Sequence, residues 1–315
     1  MTDPSPVLAE VVRSGFVESR HRGALVALDA DGSIAFSLGD VTRPVFPRSS
    51  VKPAQATAAL RAGLDLDGEL LALAAASHSG EPFHLDGVRE ILGRAGLDPS
   101  ALHTPPQYPF GERAFEDYLR SGGRPDPLVM NCSGKHAAWL AACAANGWDT
   151  ATYLEPAHPL QRLVLRTVED LAGERVAHGG VDGCGAPVPA LGLTGLARLF
   201  RALADPRAGT PEHRVAVAMR AYPEYVAGTG RVDTLLMRAV PGLIAKMGAE
   251  AVQGVALADG RALAFKVDDG SVRTLGPIVV AALGRLGIAA PGLDEIAEIV
   301  LTGGGRPVGA IRAAF

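Results

Sequence analysis

A serine and a lysine stand one helical turn apart in the segment FPRSSVKPAQA, as Ser49 and Lys52. Residues three apart share one face of a helix, and Pro53 belongs in a first turn because proline lacks the amide N–H. The segment therefore predicts a helix that begins near Ser49, where free N–H groups and the helix dipole stabilise an alkoxide. The chemistry would be nucleophilic attack by Ser49 with a neutral Lys52 as base. The alternative is a serine cap beside a solvated lysine, and this short motif alone does not separate the two.

A second group of polar residues lies in ASHSGE, directly after an apolar stretch that predicts a buried helix over 67–76. Polar side chains that crowd the end of a buried element are typical of functional sites. The polar residues of this group are Ser77, His78, Ser79 and Glu81. An ordinary turn with capping residues is the alternative interpretation.

The chain contains three cysteines, at Cys132, Cys143 and Cys184. A small odd number argues against a disulfide framework. NCSGKH places Cys132 and Lys135 one turn apart and is closed by His136, while DGCGAP holds Asp182 and Cys184. Two thiols with a lysine or histidine could bind zinc, although the spacing of a complete four-ligand site is missing. Two buried thiols near a site and a cysteine nucleophile remain alternatives.

Lys266 lies in ALAFKVDDG, between apolar neighbours on a predicted strand. If it faces a cleft, its charge could stabilise an oxyanion or polarise a hydroxyl; on the opposite face it would be solvated. The glycines at 303–305 allow either close approach of the backbone to a ligand or a flexible turn.

Strands are predicted near both ends of the chain and helices between them. Hairpins are predicted at 24–38 and 252–270, each around an Asp-Gly turn, and a further strand at 298–305. Helical periodicity and end signals predict helices at 53–63, 67–76, 84–96, 134–147, 159–173, 193–204, 211–221, 233–247 and 275–286. Pro-rich stretches at 104–110 and 122–128 predict loops.

These elements predict an α/β (α+β) fold in one domain over 1–315. Its antiparallel sheet would be built from both termini, from about 8–45 and 250–315, with helices from about 50–248. An active site is expected between the sheet and the helices.

The composition excludes several functional classes. The 315 residues are 48% hydrophobic and 20% charged, which suits a globular protein. The net charge of -4 shows no basic excess, so we expect no nucleic-acid partner. No apolar run reaches membrane-spanning length, and the N-terminus lacks a signal-peptide pattern. We therefore expect a cytoplasmic protein without a membrane partner.

Seven motifs occur in order along the chain: RSSVKPAQA, ASHSGE, NCSGKH, HPLQ, DGCGAP, PEYVAGTGR and AKMGAEAVQGV. With them the chain resembles the L-asparaginase II family, the thermolabile or Rhizobium-type asparaginases, from about Val17 to Gly305. The resemblance implies a fold similar to serine β-lactamases and serine-dependent glutaminases. It also implies hydrolysis of L-asparagine to L-aspartate and ammonia, and a homodimer.

The resemblance implies roles for individual residues as well. The two catalytic Ser-Lys pairs would be Ser49 with Lys52 and Ser77 with Lys266. Substrate would be bound or oriented by Asp182, His136, Arg48 and Gly183. No cofactor would be required, but a zinc ion could be held by Cys132, Lys135 and Cys184.

The resulting hypothesis is an acyl-enzyme in which at least one lysine has a depressed pKa, so that activity rises toward alkaline pH. A glutaminase is an alternative, because one methylene changes specificity by only about 1–3 kcal/mol. A β-lactamase-like serine hydrolase is another, although we find neither Ser-Asp-Asn nor Lys-Thr-Gly. The third alternative is a catalytically silent relative that binds an amino acid.

Overall fold

The computed structural model describes residues 5–204 and 207–315. Within these ranges the chain forms an eight-stranded antiparallel sheet, a two-stranded sheet and surrounding helices. The strands are β1 (Val7–Arg13), β2 (Phe16–Leu28), β3 (Ile34–Leu38), β4 (His178–Val181), β5 (Pro187–Ala190), β6 (Ile244–Gly248), β7 (Val252–Ala256), β8 (Ala262–Val267), β9 (Ile299–Gly303) and β10 (Arg306–Ala313). The large sheet has the order β6-β7-β8-β2-β1-β10-β9, and β3 also pairs with β2.

The long strand β2 joins the two halves of the large sheet. Its first half pairs with β1, and its second half lies between β8 and β3. The change of partner occurs at Gly23, where a Cβ atom would lie 2.1 Å from the Lys266 carbonyl oxygen. Only glycine fits this close approach of two backbones. The last strand, β10, pairs with β1 in the register Ala9 to Ala313, so both termini contribute to one sheet, as predicted.

The helices pack around α1, which lies at the centre of the helical part of the molecule. They are α1 (Lys52–Arg61), α2 (Gly68–Ala74), α3 (Pro82–Arg94), α4 (Glu112–Arg120), α5 (Ser133–Asn146), α6 (Pro159–Ala172), α7 (Leu193–Leu203), α8 (Pro211–Ala221), α9 (Pro223–Val226), α10 (Val232–Ala239), α11 (Leu275–Arg285) and α12 (Asp294–Ala297). The residues of α1 from Lys52 to Leu60 are all buried. Because α1 and α5 are rich in alanine, their backbones can pack closely.

The α+β fold with an antiparallel sheet and flanking helices is confirmed, but three elements inside the predicted helical region are strands. The helix predicted at 233–247 ends at Ala239, because Pro241 and Gly242 follow, and Ile244–Gly248 forms β6. The second segment of the sheet therefore begins at 244 and not near 250. The hairpin of β4 and β5 was also not predicted. No helix in the described ranges is both long and apolar enough to cross a bilayer.

Candidate active site

Ser49 lies in a single 3-10 turn, Arg48–Val51, that continues directly into α1. Arg48 has a φ of +53°, a left-handed conformation that costs energy for a residue with a side chain and is typical of functional sites. Ser49 is partly exposed, whereas Ser50 is buried and its Oγ donates to the Pro47 carbonyl at 2.8 Å. Of the two serines, only Ser49 therefore presents its hydroxyl to a ligand.

Lys52 is the first residue of α1 and is almost completely buried, at 1% exposure. Its amine donates to the Ala76 carbonyl at 2.6 Å, to Ser77 Oγ at 2.9 Å and to Cys132 Sγ at 3.1 Å. Three acceptors match the three hydrogens of an ammonium group. Lys52 thus connects the Ser49 turn to the second predicted serine and to the first predicted thiol.

Lys266, the predicted partner of Ser77, interacts with other residues. Its half-buried amine donates to the Val267 carbonyl, and the carboxylates that act on it are those of Asp268, Glu250 and Asp269. No hydrogen bond links Lys266 to either serine in the described part of the chain. The amine bonded to Ser77 is that of Lys52. The geometry therefore does not support the pairing of Ser77 with Lys266, which came from the resemblance alone.

Lys246, on β6, is the lysine that the fold brings beside Lys52. It is fully buried, and its amine donates to the Met247 carbonyl at 2.7 Å. The pKa of Lys246 is lowered to about 7, mainly by burial; Asp233, 3.9 Å away, opposes this shift, and the charge of Lys52 adds to it. Lys246 can therefore be neutral near neutral pH, which a general base requires.

The edge strand β6 runs directly against the Ser49 turn. A Cβ atom on Gly248 would lie 2.2 Å from the Pro47 carbonyl oxygen and 3.1 Å from the Ser50 amide nitrogen. Asp233 fixes the strand from the other side, since its carboxylate accepts from the Met247 amide at 2.8 Å and from Gln253 Nε2 at 2.9 Å. Sequence reasoning missed Lys246 by assigning it to a helix. The pattern Lys-x-Gly was the available signal, because Lys-Thr-Gly accompanies Ser-x-x-Lys in β-lactamases.

Three of the predicted substrate-binding residues meet beside Ser49. Arg48 Nε donates to Asp182 Oδ1 at 2.7 Å, and the Gly183 amide donates to the same oxygen at 2.8 Å. Asp182 lies at the tip of the β4–β5 hairpin. The Asp182 backbone N–H donates a hydrogen bond to the Ala186 carbonyl, which closes the turn. From the described residues, Asp182 Oδ2 receives no hydrogen bond. This oxygen could accept from a cationic ligand.

The predicted thiols also lie together. Lys135 Nζ donates to Cys184 Sγ at 3.2 Å, and all three side chains of the Cys132, Lys135 and Cys184 group are buried. A hydrogen bond from Cys132 and the charge of Lys135 lower the pKa of Cys184, while the same hydrogen bond and burial raise the pKa of Cys132. Burial acts to lower the pKa of Lys135, but the two sulfurs outweigh it and the pKa is raised. These directions favour a thiolate at Cys184, a thiol at Cys132 and an ammonium at Lys135.

His136, the fourth predicted substrate-binding residue, is fully buried behind this group. Its Nδ1 is 2.7 Å from the Tyr153 hydroxyl, and its buried Nε2 has no hydrogen-bond partner in the described residues. Burial and the charge of Lys135 lower the pKa of His136 to about 4, so the ring is neutral. A buried ring faces the thiols and not an open cavity. It could orient Cys184 more readily than contact a substrate.

Two thiols and a neutral imidazole nitrogen are the kinds of donor that zinc prefers. In the described ranges, however, no three residues among His, Cys, Asp and Glu converge on a common point. A zinc ion would therefore have to displace the proton of Lys135 so that its neutral amine could be a third ligand beside Cys132 and Cys184, the set that the resemblance implies.

Comparisons with known proteins agree with the sequence motifs. A family model described as L-asparaginase II matches residues 9–313. No curated protein sequence matches the chain. Similar solved structures include a beta-lactamase (Mb2281c) from Mycobacterium bovis, with 14% identity, a TM-score of 0.48 and coverage of 90% of this chain and 97% of that one. Mglu in its native form shows 16% identity, a TM-score of 0.45 and coverage of 84% of this chain and 63% of its own. The functional assignment depends on the family match and the side-chain geometry, and not on these distant likenesses.

Proposed function

Because the chain belongs to the L-asparaginase II family, whose model matches residues 9–313, we propose that it hydrolyses L-asparagine to L-aspartate and ammonia. Family membership identifies an amidohydrolase, and asparagine as the substrate is the proposal. The observation that supports it best is the contact of 2.9 Å between the buried Lys52 amine and Ser77 Oγ, because Lys52 lies three residues after the partly exposed Ser49. A serine with buried amines beside it is suited to acyl transfer.

The first step is attack by Ser49 on the side-chain carboxamide. The Ser49 proton passes to the neutral amine of Lys246, the lysine with a pKa of about 7. The new C–O bond makes a tetrahedral oxyanion. The positive end of the α1 dipole stabilises this charge.

The second step releases ammonia. The C–N bond breaks, and a proton reaches the departing nitrogen through Ser77 from the Lys52 ammonium, the two groups being hydrogen-bonded. The ester on Ser49 is then attacked by water, which gives L-aspartate and restores the serine hydroxyl. Lys246 then returns its proton to Lys52, so both lysines end the cycle in the protonation states in which they began it.

Asp182 is the group in this site that could bind the substrate's α-ammonium. Its Oδ1 is held by Arg48 and Gly183, which leaves Oδ2 as a fixed acceptor beside Ser49. A charge-assisted hydrogen bond of this kind orients a ligand as well as attracting it. The position agrees with the role that the resemblance implies.

We propose further that zinc, when bound by Cys132, Cys184 and Lys135, stabilises the turn that carries Asp182. Removing it with a chelator is expected to raise KM for asparagine more than it lowers kcat, because Asp182 binds substrate and does not transfer protons. Steady-state kinetics before and after chelation, with zinc added back, measure the two constants. A fall in kcat with unchanged KM would contradict this role.

The proposed activity is tested by ammonia release from L-asparagine and L-glutamine, with a chromogenic cephalosporin as a third substrate. We expect release from asparagine, slower release from glutamine and no opening of the β-lactam. Faster turnover of glutamine would make the chain a glutaminase, and β-lactam hydrolysis would make it a penicillin-recognising enzyme. No ammonia from either amide, with a rise in melting temperature on adding asparagine, would indicate a silent binding relative.

Two other expectations remain predictions, namely the homodimer that the resemblance implies and the cytoplasmic location that the sequence patterns indicate. Sedimentation of the purified chain tests the first, and fractionation of expressing cells tests the second. Neither is needed for the proposed chemistry, because one chain supplies Ser49, Lys52, Ser77 and Lys246.

A further inference from the structure

The Arg231 guanidinium has no hydrogen-bonded anionic partner in the described residues, although it is partly buried. Its Nη1 is buried without a hydrogen-bond partner there, and its Nη2 donates to Met247 Sδ at 3.2 Å. A thioether is a weak acceptor. The guanidinium also stacks on Phe110, with Cζ 4.6 Å from the ring centroid. Burial is the main influence on Arg231 and lowers its pKa.

The two carboxylates near Arg231 are bonded to other groups. Glu81 accepts from the Thr229 amide at 2.8 Å and from the Thr229 hydroxyl at 2.7 Å. Asp233 accepts from Met247 and Gln253, one on each oxygen. A buried cation without a hydrogen-bonded anion is costly to the folded protein. The cost would be offset when a ligand brings its own carboxylate to the free Nη1.

Arg231 also lines a cavity of about 780 Å³ between α3 and the segment that carries α4. Ser79, two residues after Ser77, lines the same cavity together with Gly111 and Thr229. Arg231 contacts the Met247 side chain, which leaves β6 on the face opposite to Lys246, and its charge still acts on the Lys246 amine. An anion bound to Arg231 would therefore change the electrostatic field at the proposed general base.

We propose that Arg231 binds the α-carboxylate of the substrate and makes the enzyme specific for amino acids whose α-carboxylate is free. This inference depends on the proposed function, since asparagine carries only one anionic group, its α-carboxylate. Arginine holds a carboxylate through two parallel N–H bonds, which fixes orientation as well as position. Arg231 and Asp182 would then recognise the two opposite charges of a free amino acid.

The test compares L-asparagine with its α-amide, which lacks the α-carboxylate, as substrates of wild type and Arg231→Met. Wild type is expected to prefer asparagine strongly. Arg231→Met should lower kcat/KM for asparagine by about 100-fold, mainly by raising KM. The reason is that the substrate's α-carboxylate would lose the guanidinium with which it forms a buried charge pair. The value for the α-amide should change little. Arg231→Lys keeps the charge but loses the two-pronged geometry, so it should recover only part of the preference.

Arg220→Met is the matched control, because Arg220 on α8 also has buried guanidinium nitrogens without partners in the described residues. It should leave the preference for asparagine unchanged. The melting temperature separates binding from structure: Arg231→Met should melt no lower than wild type, since it removes an unpaired buried cation. A lower melting temperature with equal losses on both substrates would show that Arg231 is structural.

The remaining outcomes also decide the question. If wild type hydrolyses asparagine and its α-amide equally well, or if Arg231→Met keeps the preference, the inference is overturned while the proposed function stands. If wild type releases no ammonia from asparagine, the proposed function fails and the inference fails with it.

Discussion

Replacing Lys246 by methionine is expected to lower kcat for ammonia release by about 10²–10⁴-fold, the contribution of a positioned general base. Lys246 is fully buried on β6, beside the Ser49 turn, and its pKa is lowered to about 7, primarily by burial. The matched variant is Lys266→Met, which removes a half-buried lysine hydrogen-bonded only to the backbone of Val267 among the described residues. We expect this control to retain activity close to wild type. Ammonia release by both variants, at one protein concentration, measures the contrast.

The pH dependence gives an independent test of the same residue. The neutral amine is the active form, so kcat/KM should rise with pH through about 7, the folded-state pKa of Lys246. Between about 7 and the ordinary lysine value of 10.5, the unfolded chain binds a proton at this site that the folded chain does not. The contribution of Lys246 to the free energy of unfolding therefore increases with pH across that window. A fall in kcat/KM above neutral pH would contradict Lys246 as the general base, because its neutral fraction grows there.

Thermal melts across the same pH range are the control for folding. Below about 7 the folded protein holds a buried charged amine at Lys246, so this group lowers stability there. Lys246→Met should flatten the rise of both activity and stability with pH. If Lys266→Met is the inactive variant and Lys246→Met is active, Lys266 is the catalytic lysine, as the sequence resemblance implies, and the assignment of Lys246 is wrong.

The start of α1 could be predicted because its causes are local. Pro53 places the first turn of the helix. Ser49 and Lys52 are three residues apart and therefore both lie at the N-terminal end of α1. The sheet from both termini followed from hairpin turns that require only the Asp-Gly pairs at 31–32 and 259–260. Local rules of this kind do not specify which side chains meet. The contact of Lys52 with Ser77 depends on how α1 packs against the segment after α2.

Lys246 shows why the remaining part of the site was missed. The segment IAKMG has no periodicity that separates a short buried strand from a helix. Pro241 and Gly242 end the preceding helix, and the segment becomes an edge strand only by pairing with β7, from Ile244 opposite Ala256 to Gly248 opposite Val252. Arg231 was missed for a different reason. Its significance comes from hydrogen bonds that neighbouring carboxylates accept from other groups, which no sequence pattern records.

Replacing Ser49 by alanine is expected to have the largest effect, a fall in kcat of about 10⁴-fold or more, as for loss of a catalytic nucleophile. Ser77→Ala should cause a smaller fall of about 10²–10³-fold, because the Lys52 ammonium would lose the hydroxyl that relays its proton. Ser50→Ala is the matched control. It removes one hydrogen bond to the Pro47 carbonyl and should cost about 1 kcal/mol of stability with activity retained.

An acid quench during turnover, followed by proteolysis and mass spectrometry, locates the acyl group. The aspartyl ester should be found on the peptide that contains Ser49 and be absent in Ser49→Ala. Ser49 is partly exposed at the start of α1, whereas Ser77 is 5% exposed and bonded to Lys52, so only Ser49 combines access to substrate with the positive end of the α1 dipole. An ester found instead on the peptide that contains Ser77 would reverse the roles of the two serines, with Lys52 as the base that activates Ser77.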